Sequence, residues 1–504
     1  MPPSRTFESL LASAPGDAIA LMAPGAAPLT YAGLRDLARE TIAALNSFGV
    51  GRSDRVAIVL PNGPQMAAAF LAIAQGASAA PLNPAYKGDE FEFYMGDLGA
   101  RALVVEAGST SPAIDAAKKL GVAILTLTPD PSGAGAFTLS GSAAGAAEKP
   151  GPATPEDVAL ILHTSGTTSR PKIVPLTQHN VATSADNIAR TVEFCESDRG
   201  LNIMPLFHIH GLIAGLLAPL SRGGSVFCTP GFNALKFFAW LEEARPSWYT
   251  GVPTMHQAIL TRAPHNRETI ARHPLRFIRS SSSSLPPQVI AELEATFHAP
   301  VIEAYGMTEA SHQMASNPLR GVRKPGSVGL AAGPEVEIMD KAGNILPAGE
   351  IGEIAIRGDN VTPGYENNAK ANAEAFTNGW FRTGDQGVKD GDGYISLTGR
   401  LKEIINRGGE KVSPREVDEA LMDHPAVLQV VTFAVPHEKL GEDVAAAVVL
   451  REGTRATEQE LRAFLSERLA PFKTPRKILF LTEIPKGATG KLQRIGLAQK
   501  LGLA

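Results

Sequence analysis

The sequence predicts an α/β protein with a large N-terminal domain of packed α/β sheets plus a β-rich subdomain, followed by a small C-terminal α/β domain. Three observations carry that expectation. The 504 residues exceed what a single hydrophobic core usually supports, so more than one domain should form. Short apolar runs suited to buried strands alternate with amphipathic helical patterns, the arrangement that gives parallel sheets covered by helices. Near Val328 the style changes to short strands separated by polar turns, and after Arg400 a compact unit begins. An N-terminal domain over 1–400 and a C-terminal domain over 401–504 follow.

The elements can be justified in order. Val56-Ala57-Ile58-Val59-Leu60 reads as a buried strand, and Gly63-Pro64 opens a helix through Met66 to Ala74. Ala102-Leu103-Val104-Val105 and Val122-Ala123-Ile124-Leu125 repeat the strand pattern. The Gly/Ala/Ser-rich stretch from Pro131 to Pro155 has too little apolar bulk for a core and reads as a surface connection. Val158-Ala159-Leu160-Ile161-Leu162 is the next short strand. Val336-Glu337-Ile338-Met339 and Gly352-Glu353-Ile354-Ala355-Ile356 look antiparallel, with a turn at Asp340-Lys341-Ala342-Gly343-Asn344. In the last unit Ser413 is placed to N-cap a helix, with Pro414 at its first position and Glu416 closing a capping box. Strands over Val427–Val435 and Ala445–Leu450 should follow.

Composition narrows the class. Apolar residues make up 44% and charged ones 19%, ordinary for a globular protein. A net charge of −4 without a long basic run argues against nucleic acid or an anionic membrane surface as a partner. Cys195 and Cys228 are too few for a disulfide framework, and no Cys/His spacing suits zinc. The start, Met1-Pro2-Pro3-Ser4-Arg5-Thr6, lacks a signal peptide's apolar stretch, and no apolar run reaches the ~20 residues of a membrane span. A cytoplasmic protein without membrane insertion is expected; oligomeric state is unknown at this level.

The most informative segment is Leu162-His163-Thr164-Ser165-Gly166-Thr167-Thr168-Ser169-Arg170-Pro171-Lys172. On a loop leaving a strand, its hydroxyls and backbone N–H groups can converge on phosphate oxygens, with lysine supplying positive charge. It is not a Walker loop, which needs a glycine immediately before the lysine and Ser or Thr after it; here Pro171 precedes and Ile173 follows. Downstream come Glu303-Ala304-Tyr305-Gly306-Met307-Thr308-Glu309, Trp380-Phe381-Arg382-Thr383-Gly384-Asp385, Gly399-Arg400-Leu401-Lys402-Glu403-Ile404-Ile405 and Pro485-Lys486-Gly487-Ala488-Thr489-Gly490-Lys491. With these five blocks in order between about Thr30 and Lys491, the chain resembles the adenylate-forming superfamily of acyl-CoA synthetases, luciferases and peptide-synthetase adenylation domains. Within it, Thr167 to Lys172, Met204-Pro205-Leu206-Phe207-His208-Ile209-His210-Gly211 and Met307-Thr308-Glu309-Ala310-Ser311-His312 are similar to the oxalate–CoA ligases.

That resemblance implies an ATP-dependent ligase in which a small-molecule carboxylic acid attacks the α-phosphate of Mg-ATP, and the thiol of coenzyme A then displaces AMP. Neither step needs a protein nucleophile, so positioning and electrostatics should carry the rate. It further implies that Thr164, Ser165, Gly166, Thr167, Thr168 and Lys172 cradle the β- and γ-phosphates. Thr308 would reach the α-phosphate side and Glu309, with Thr164, would serve Mg2+, a hard cation suited to oxygen ligands. Asp385 and Arg400 would grip the ribose. Tyr305 would stack on adenine, with Gly306 and Met307 beside it and Ser282 and Ser283 lining the base. The C-terminal domain would be mobile, pivoting on Lys402 and delivering catalytic Lys491 on a glycine-rich loop. Gly408, Gly409 and Glu410 would line the coenzyme A path, and His208 would stand as a gate between the acid and that path.

The acid itself is read from side-chain chemistry. His208 and His210 are two apart, so an extended segment would put them on one face; no third ligand favours a metal. His210, Ser281, Ser282 and His312 would leave donors unpaired in a pocket for a long-chain or aryl acid. Clustered donors suit a second carboxylate, which gives the resemblance to the oxalate–CoA ligases a physical rationale. Oxalate is the substrate that resemblance implies, with malonate or another short polar acid open. The alternatives are another short, medium-chain or aryl acid, an adenylation enzyme that loads a carrier protein, or a non-catalytic adenylate-binding protein.

Overall fold

The computed structural model describes residues 5–142, 145–164, 171–487 and 491–504. Two large sheets make up most of the N-terminal domain. One has seven strands in the order Phe137–Ser140, Ala123–Pro129, Ala102–Glu106, Arg55–Val59, Ser78–Pro81, Val158–Thr164 and Lys172–Thr177. Its five inner strands are parallel and its two outer ones antiparallel to their neighbours. The other has nine strands, Leu330–Ala331, His312–Ser316, Val301–Met307, Phe277–Ser280, Trp248–Gly251, Arg199–Asn202, Ser225–Cys228, Ile19–Met22 and Leu29–Thr30. The run from Val301–Met307 to Ile19–Met22 is parallel.

The helix Pro64–Ile73 shows why the two sheets stay together. Met66 through Ile73 are all buried, a helix apolar on every side, because it packs against Arg55–Val59 of one sheet and Ser225–Cys228 of the other. The expected strand, helix and strand at the start of the chain are therefore present, with boundaries shifted by a residue or two.

The stretch from Pro131 to Pro155 departs from expectation only in its first part, since most described residues after Phe137 are exposed. It contains the strand Phe137–Ser140, paired antiparallel with Ala123–Pro129, and Ala134, Ala136 and Phe137 are buried. A Cβ added at Gly135 would lie 2.5 Å from the carbonyl oxygen of Pro64 and 2.9 Å from the Ala68 methyl. Small residues are required there because backbone lies directly on the helix, so low side-chain bulk marks close packing rather than a surface segment.

The antiparallel subdomain forms as expected, with Glu335–Met339 against Ile351–Arg357, Trp380–Lys389 against the latter, and Ile395–Arg400 at the far edge. The C-terminal domain carries its own five-stranded sheet of Ile405–Arg407, Glu410–Val412, Val427–His437, Gly441–Leu450 and Lys477–Phe480. Its helix Pro414–Met422 begins where the sequence places it, but the capping box does not form: the Ser413 side chain makes no cap hydrogen bond. The Ser413 hydroxyl donates instead to the Thr398 carbonyl oxygen. Glu416 turns outward to Lys473, whose Nζ lies 2.6 and 2.8 Å from its carboxylate oxygens. A contact to the N-terminal domain's last strand has replaced a local cap.

Candidate active site

The strand pairing Trp380–Lys389 with Ile395–Arg400 sets Asp385 directly opposite Arg400. Arg400 Nε donates to Asp385 Oδ1 at 2.8 Å, and the Tyr305 hydroxyl donates to Asp385 Oδ2 at 2.5 Å. The turn before Asp385 is locked: Thr383 Oγ1 donates to Ile354 O at 2.8 Å, and the Gly384 N–H, at φ +75°, donates to Glu353 Oε1 at 2.9 Å. Burial, then the Asp385 charge and hydrogen bond, push the Tyr305 phenol well above its usual range. It is held as a neutral donor.

Glu309 occupies a short turn after Val301–Met307 and is buried. Tyr365 donates its hydroxyl to Glu309 Oε1 at 2.8 Å, and the ammonium of Lys172 lies 4.2 Å from the centre of the same tyrosine ring. Burial raises the Glu309 carboxyl, while the Tyr365 hydrogen bond and the charges of Arg400 and Lys172 oppose the rise. Across the seven-stranded sheet's outer pair, Thr164 stands opposite Lys172. Ser165, Gly166, Thr167 and Thr168 lie outside the described residues.

Lys491 faces this cluster from the C-terminal domain. Burial, then the nearby Arg400 charge, bring its ammonium down to about 8, against the pull of Asp385. Arg494, three residues on, anchors the segment through Glu403 at 3.0 Å and Asp418 at 2.8 Å. His208 is held down to about 3 by burial and by the Lys491 charge, so its ring is neutral.

The third group lies at the carboxyl ends of the parallel strands of the nine-stranded sheet. His208 and His210 do not sit on an extended segment. His208 is on a turn, and His210 opens the wide helical segment His210–Leu217. Asn202 holds that turn, its Nδ2 donating to Gly211 O at 3.2 Å and its Oδ1 accepting from Met204 N at 3.1 Å. A Cβ at Gly211 would lie 2.3 Å from Pro205 O, so the fold needs glycine here. The rings of His210 and His312 stack with centroids 4.9 Å apart. His210 Nδ1 is 3.0 Å from Ser282 Oγ and its Nε2 is 2.7 Å from Thr250 Oγ1. Ser281 donates its hydroxyl to Ala304 O at 2.8 Å, while Ser283 is exposed. Ser282 and His312 are held at φ +74° and +102°, conformations that non-glycine residues keep only where surroundings impose them. Gly306, where a Cβ would lie 1.9 Å from His312 O, makes room for that backbone. Burial, followed by neighbouring cationic or ring groups, lowers the pKa of both histidines well below the usual imidazole value.

Charge couples the three groups: Arg400 acts on Glu309 and Lys491, and Lys491 acts on His208, His210 and His312. The hairpin joining Ile405–Arg407 to Glu410–Val412 is separate: Gly408 and Gly409 turn with φ of +60° and +100°, and Arg407 pairs with Asp443 at 2.7 Å inside the C-terminal domain. Lys402 is exposed. Sequence reading missed Tyr365, Thr250, Gln313 and Arg279. For Arg279 a signal existed, a lone arginine within the apolar strand Phe277–Ser280.

The model for the AMP-binding enzyme family matches residues 7–366, and that for the AMP-binding enzyme C-terminal domain matches 416–491. The chain belongs to the AMP-binding enzymes. This AMP-binding enzyme is 46% identical over 495 residues to an oxalate–CoA ligase of Arabidopsis thaliana, covering 96% of this chain and 95% of the relative. It is 37% identical to a sulfoacetate–CoA ligase of Cupriavidus necator, covering 93% and 92%. Among solved structures it superimposes on ATP-bound MatB from Rhodopseudomonas palustris with a TM-score of 0.88 at 30% identity, covering 99% of this chain and 97% of that one. As an AMP-binding enzyme it is an AMP-forming acid–CoA ligase that uses ATP, Mg2+ and coenzyme A. Among its described residues, no helix is long and apolar enough to cross a membrane.

Proposed function

We propose that this ligase activates oxalate, forming oxalyl adenylate and then oxalyl-CoA. One observation carries the reading: the buried His210 and His312 are stacked beside Ser282, and His312 Nε2 has no partner among the described residues. A buried unpaired donor or acceptor costs about 1–3 kcal/mol, a cost relieved by an acid with a second polar end and not by an alkyl chain. A sulfonate offers the same acceptors, and a relative named for sulfoacetate makes it the second acid to test.

The residue roles follow as part of this proposal. Asp385 accepts the ribose hydroxyls, oriented by Arg400 and Tyr305. Lys172 and Thr164 take the terminal phosphates. Glu309 suits magnesium, since one carboxylate completed by phosphate oxygens and water is the donor set that cation prefers; the metal would draw charge from the phosphates. Lys491 neutralises the α-phosphate during adenylation, with Thr308 beside it. The C-terminal domain, residues 401–504, then turns about Lys402, withdraws Lys491, and brings the Gly408-Gly409-Glu410 hairpin to the thiol arm past His208. Pyrophosphate release measured over oxalate, sulfoacetate, malonate, acetate, hexanoate and cinnamate, with and without coenzyme A, tests the reading. Oxalate should be used best; hexanoate or cinnamate outrunning it would overturn the assignment.

A further inference from the structure

We propose that Arg279 is a positioning residue for the acid: clamped by Gln313, it fixes the His210 tautomer and thereby frees the Ser282 hydroxyl hydrogen to donate to the acid's distal group. The inference rests on the reading of this pocket as a site for a short acid with a polar distal end, and it adds the device that aims the donors.

The hydrogen-bond directions follow from which groups can only donate. A guanidinium has no lone pair to offer. Arg279 Nη1 lies 3.4 Å from His210 Nε2, so that nitrogen must present its lone pair. The Thr250 hydroxyl, 2.7 Å from the same nitrogen, donates as well. A neutral imidazole then carries its one proton on Nδ1, and burial holds this ring neutral. Nδ1–H donates to Ser282 Oγ at 3.0 Å. The serine oxygen is thus used as an acceptor, and its hydrogen has no other acceptor among the described residues.

The far end of the chain is equally directed. Thr191 Oγ1 donates to Asn187 O at 2.7 Å, so it accepts from Gln313 Nε2 at 3.1 Å. The second amide hydrogen goes to Ala332 O at 3.0 Å. With both hydrogens used, Gln313 Oε1 faces Arg279 Nη2 at 3.2 Å, and the guanidinium cannot turn. Arg279 is fully buried, pairs with no carboxylate among the described residues, and leaves its Nε without a partner. Burial lowers it only to about 9, so it remains charged at neutral pH. A buried cation with no counter-charge is costly as a mere filler of the core; next to a pocket for a dianion it is not.

The test reads the tautomer and the kinetics separately. In 15N-histidine-labelled enzyme without acid, the His210 signal, assigned by its loss in His210→Asn, should show the proton on Nδ1. Arg279→Met should shift it toward Nε2–H, because the Thr250 hydroxyl then accepts. The same variant should raise the oxalate KM by about 10-fold or more, the loss expected for a hydrogen bond to a charged group. Preference for oxalate over acetate should fall by a similar factor, with the ATP KM unchanged. Arg279→Lys, which keeps a charged donor, should retain the Nδ1–H form and most of the preference. Should Arg279→Met fail to fold, Gln313→Leu releases the clamp without removing the charge and should give a mixed tautomer with a KM rise of several-fold. A proton on Nε2 in the unmodified enzyme, or an unchanged tautomer in both Arg279→Met and Gln313→Leu, overturns the proposal. Since the tautomer is read without acid, a failure of oxalate as substrate would show only in the kinetics.

Discussion

At the scale of single residues, Lys491 and His312 give the sharpest tests of the proposed function. Lys491 is charged below about pH 8 and neutral above, the reverse of an ordinary surface lysine, which keeps its proton past pH 10. If the ammonium acts in adenylation, kcat/KM for ATP in pyrophosphate release should fall as pH rises through about 8, since that parameter reports the free enzyme. Lys491→Arg should abolish this limb between pH 7.5 and 9.5, because a guanidinium does not titrate there. Lys491→Ala should slow adenylation by roughly 100-fold or more and spare thioester formation from supplied acyl adenylate; equal loss of both steps would contradict alternating domain use. For His312, φ of +102° makes alanine a confounded probe. Asparagine tolerates positive φ better. His312→Asn should cut kcat/KM for oxalate by about 10-fold or more, leave ATP affinity unchanged, and narrow the gap to acetate.

At the scale of elements, the hairpin around Gly408 and Gly409 offers the sharpest test. Gly409→Leu should leave pyrophosphate release intact and stop thioester formation if backbone there approaches the thiol arm. Leucine at φ +100° also strains the turn by about 1–2 kcal/mol, so Gly409→Asn is the control and should keep most of the second step. An unaffected second step in Gly409→Leu would reduce the hairpin to an ordinary turn. Elements of this kind were legible in sequence wherever period and punctuation agree, as in the strand read from Val56 to Leu60 and the helix from Pro64, whereas Asp385 and Arg400 came together only through the family resemblance. What could not be read was burial without bulk, as at Gly135, and polarity turned inward. Arg279 and Gln313 lie on the strands Phe277–Ser280 and His312–Ser316, and only the order of strands in the nine-stranded sheet brings Gln313 to Arg279 and Arg279 to His210. Ser413 shows the opposite error, a complete local signal overridden by an acceptor across the chain.

On the scale of the whole molecule, the C-terminal domain meets the N-terminal one through a shared apolar cluster, in which Leu285 and Val289 are grouped with Val417, Leu421 and Val427, and through polar ties at its rim. Gln257 Nε2 donates to Leu428 O at 2.9 Å, Arg451 pairs with Glu292 at 3.2 Å, and Gln288 meets Asp423. A rotation of the C-terminal domain would have to part this apolar contact as well as the polar ties. Lys402→Pro should fix φ at the junction and let pyrophosphate release continue while thioester formation drops at least 10-fold; a normal second step would move the pivot elsewhere. Arg400 adds a consequence for anyone who would alter this enzyme. Its guanidinium orients Asp385, while its carbonyl accepts from Glu403 and Ile404 at 2.8 and 3.2 Å, shaping the first turn beyond the sheet. Under the proposed pivot at Lys402, Arg400 would serve both the ribose site and the turn at the hinge. Efforts to broaden nucleotide choice through Asp385 or Arg400 should alter the tempo of domain exchange along with selectivity, and a mutant library screened only for nucleotide use would score that coupling as lost fitness.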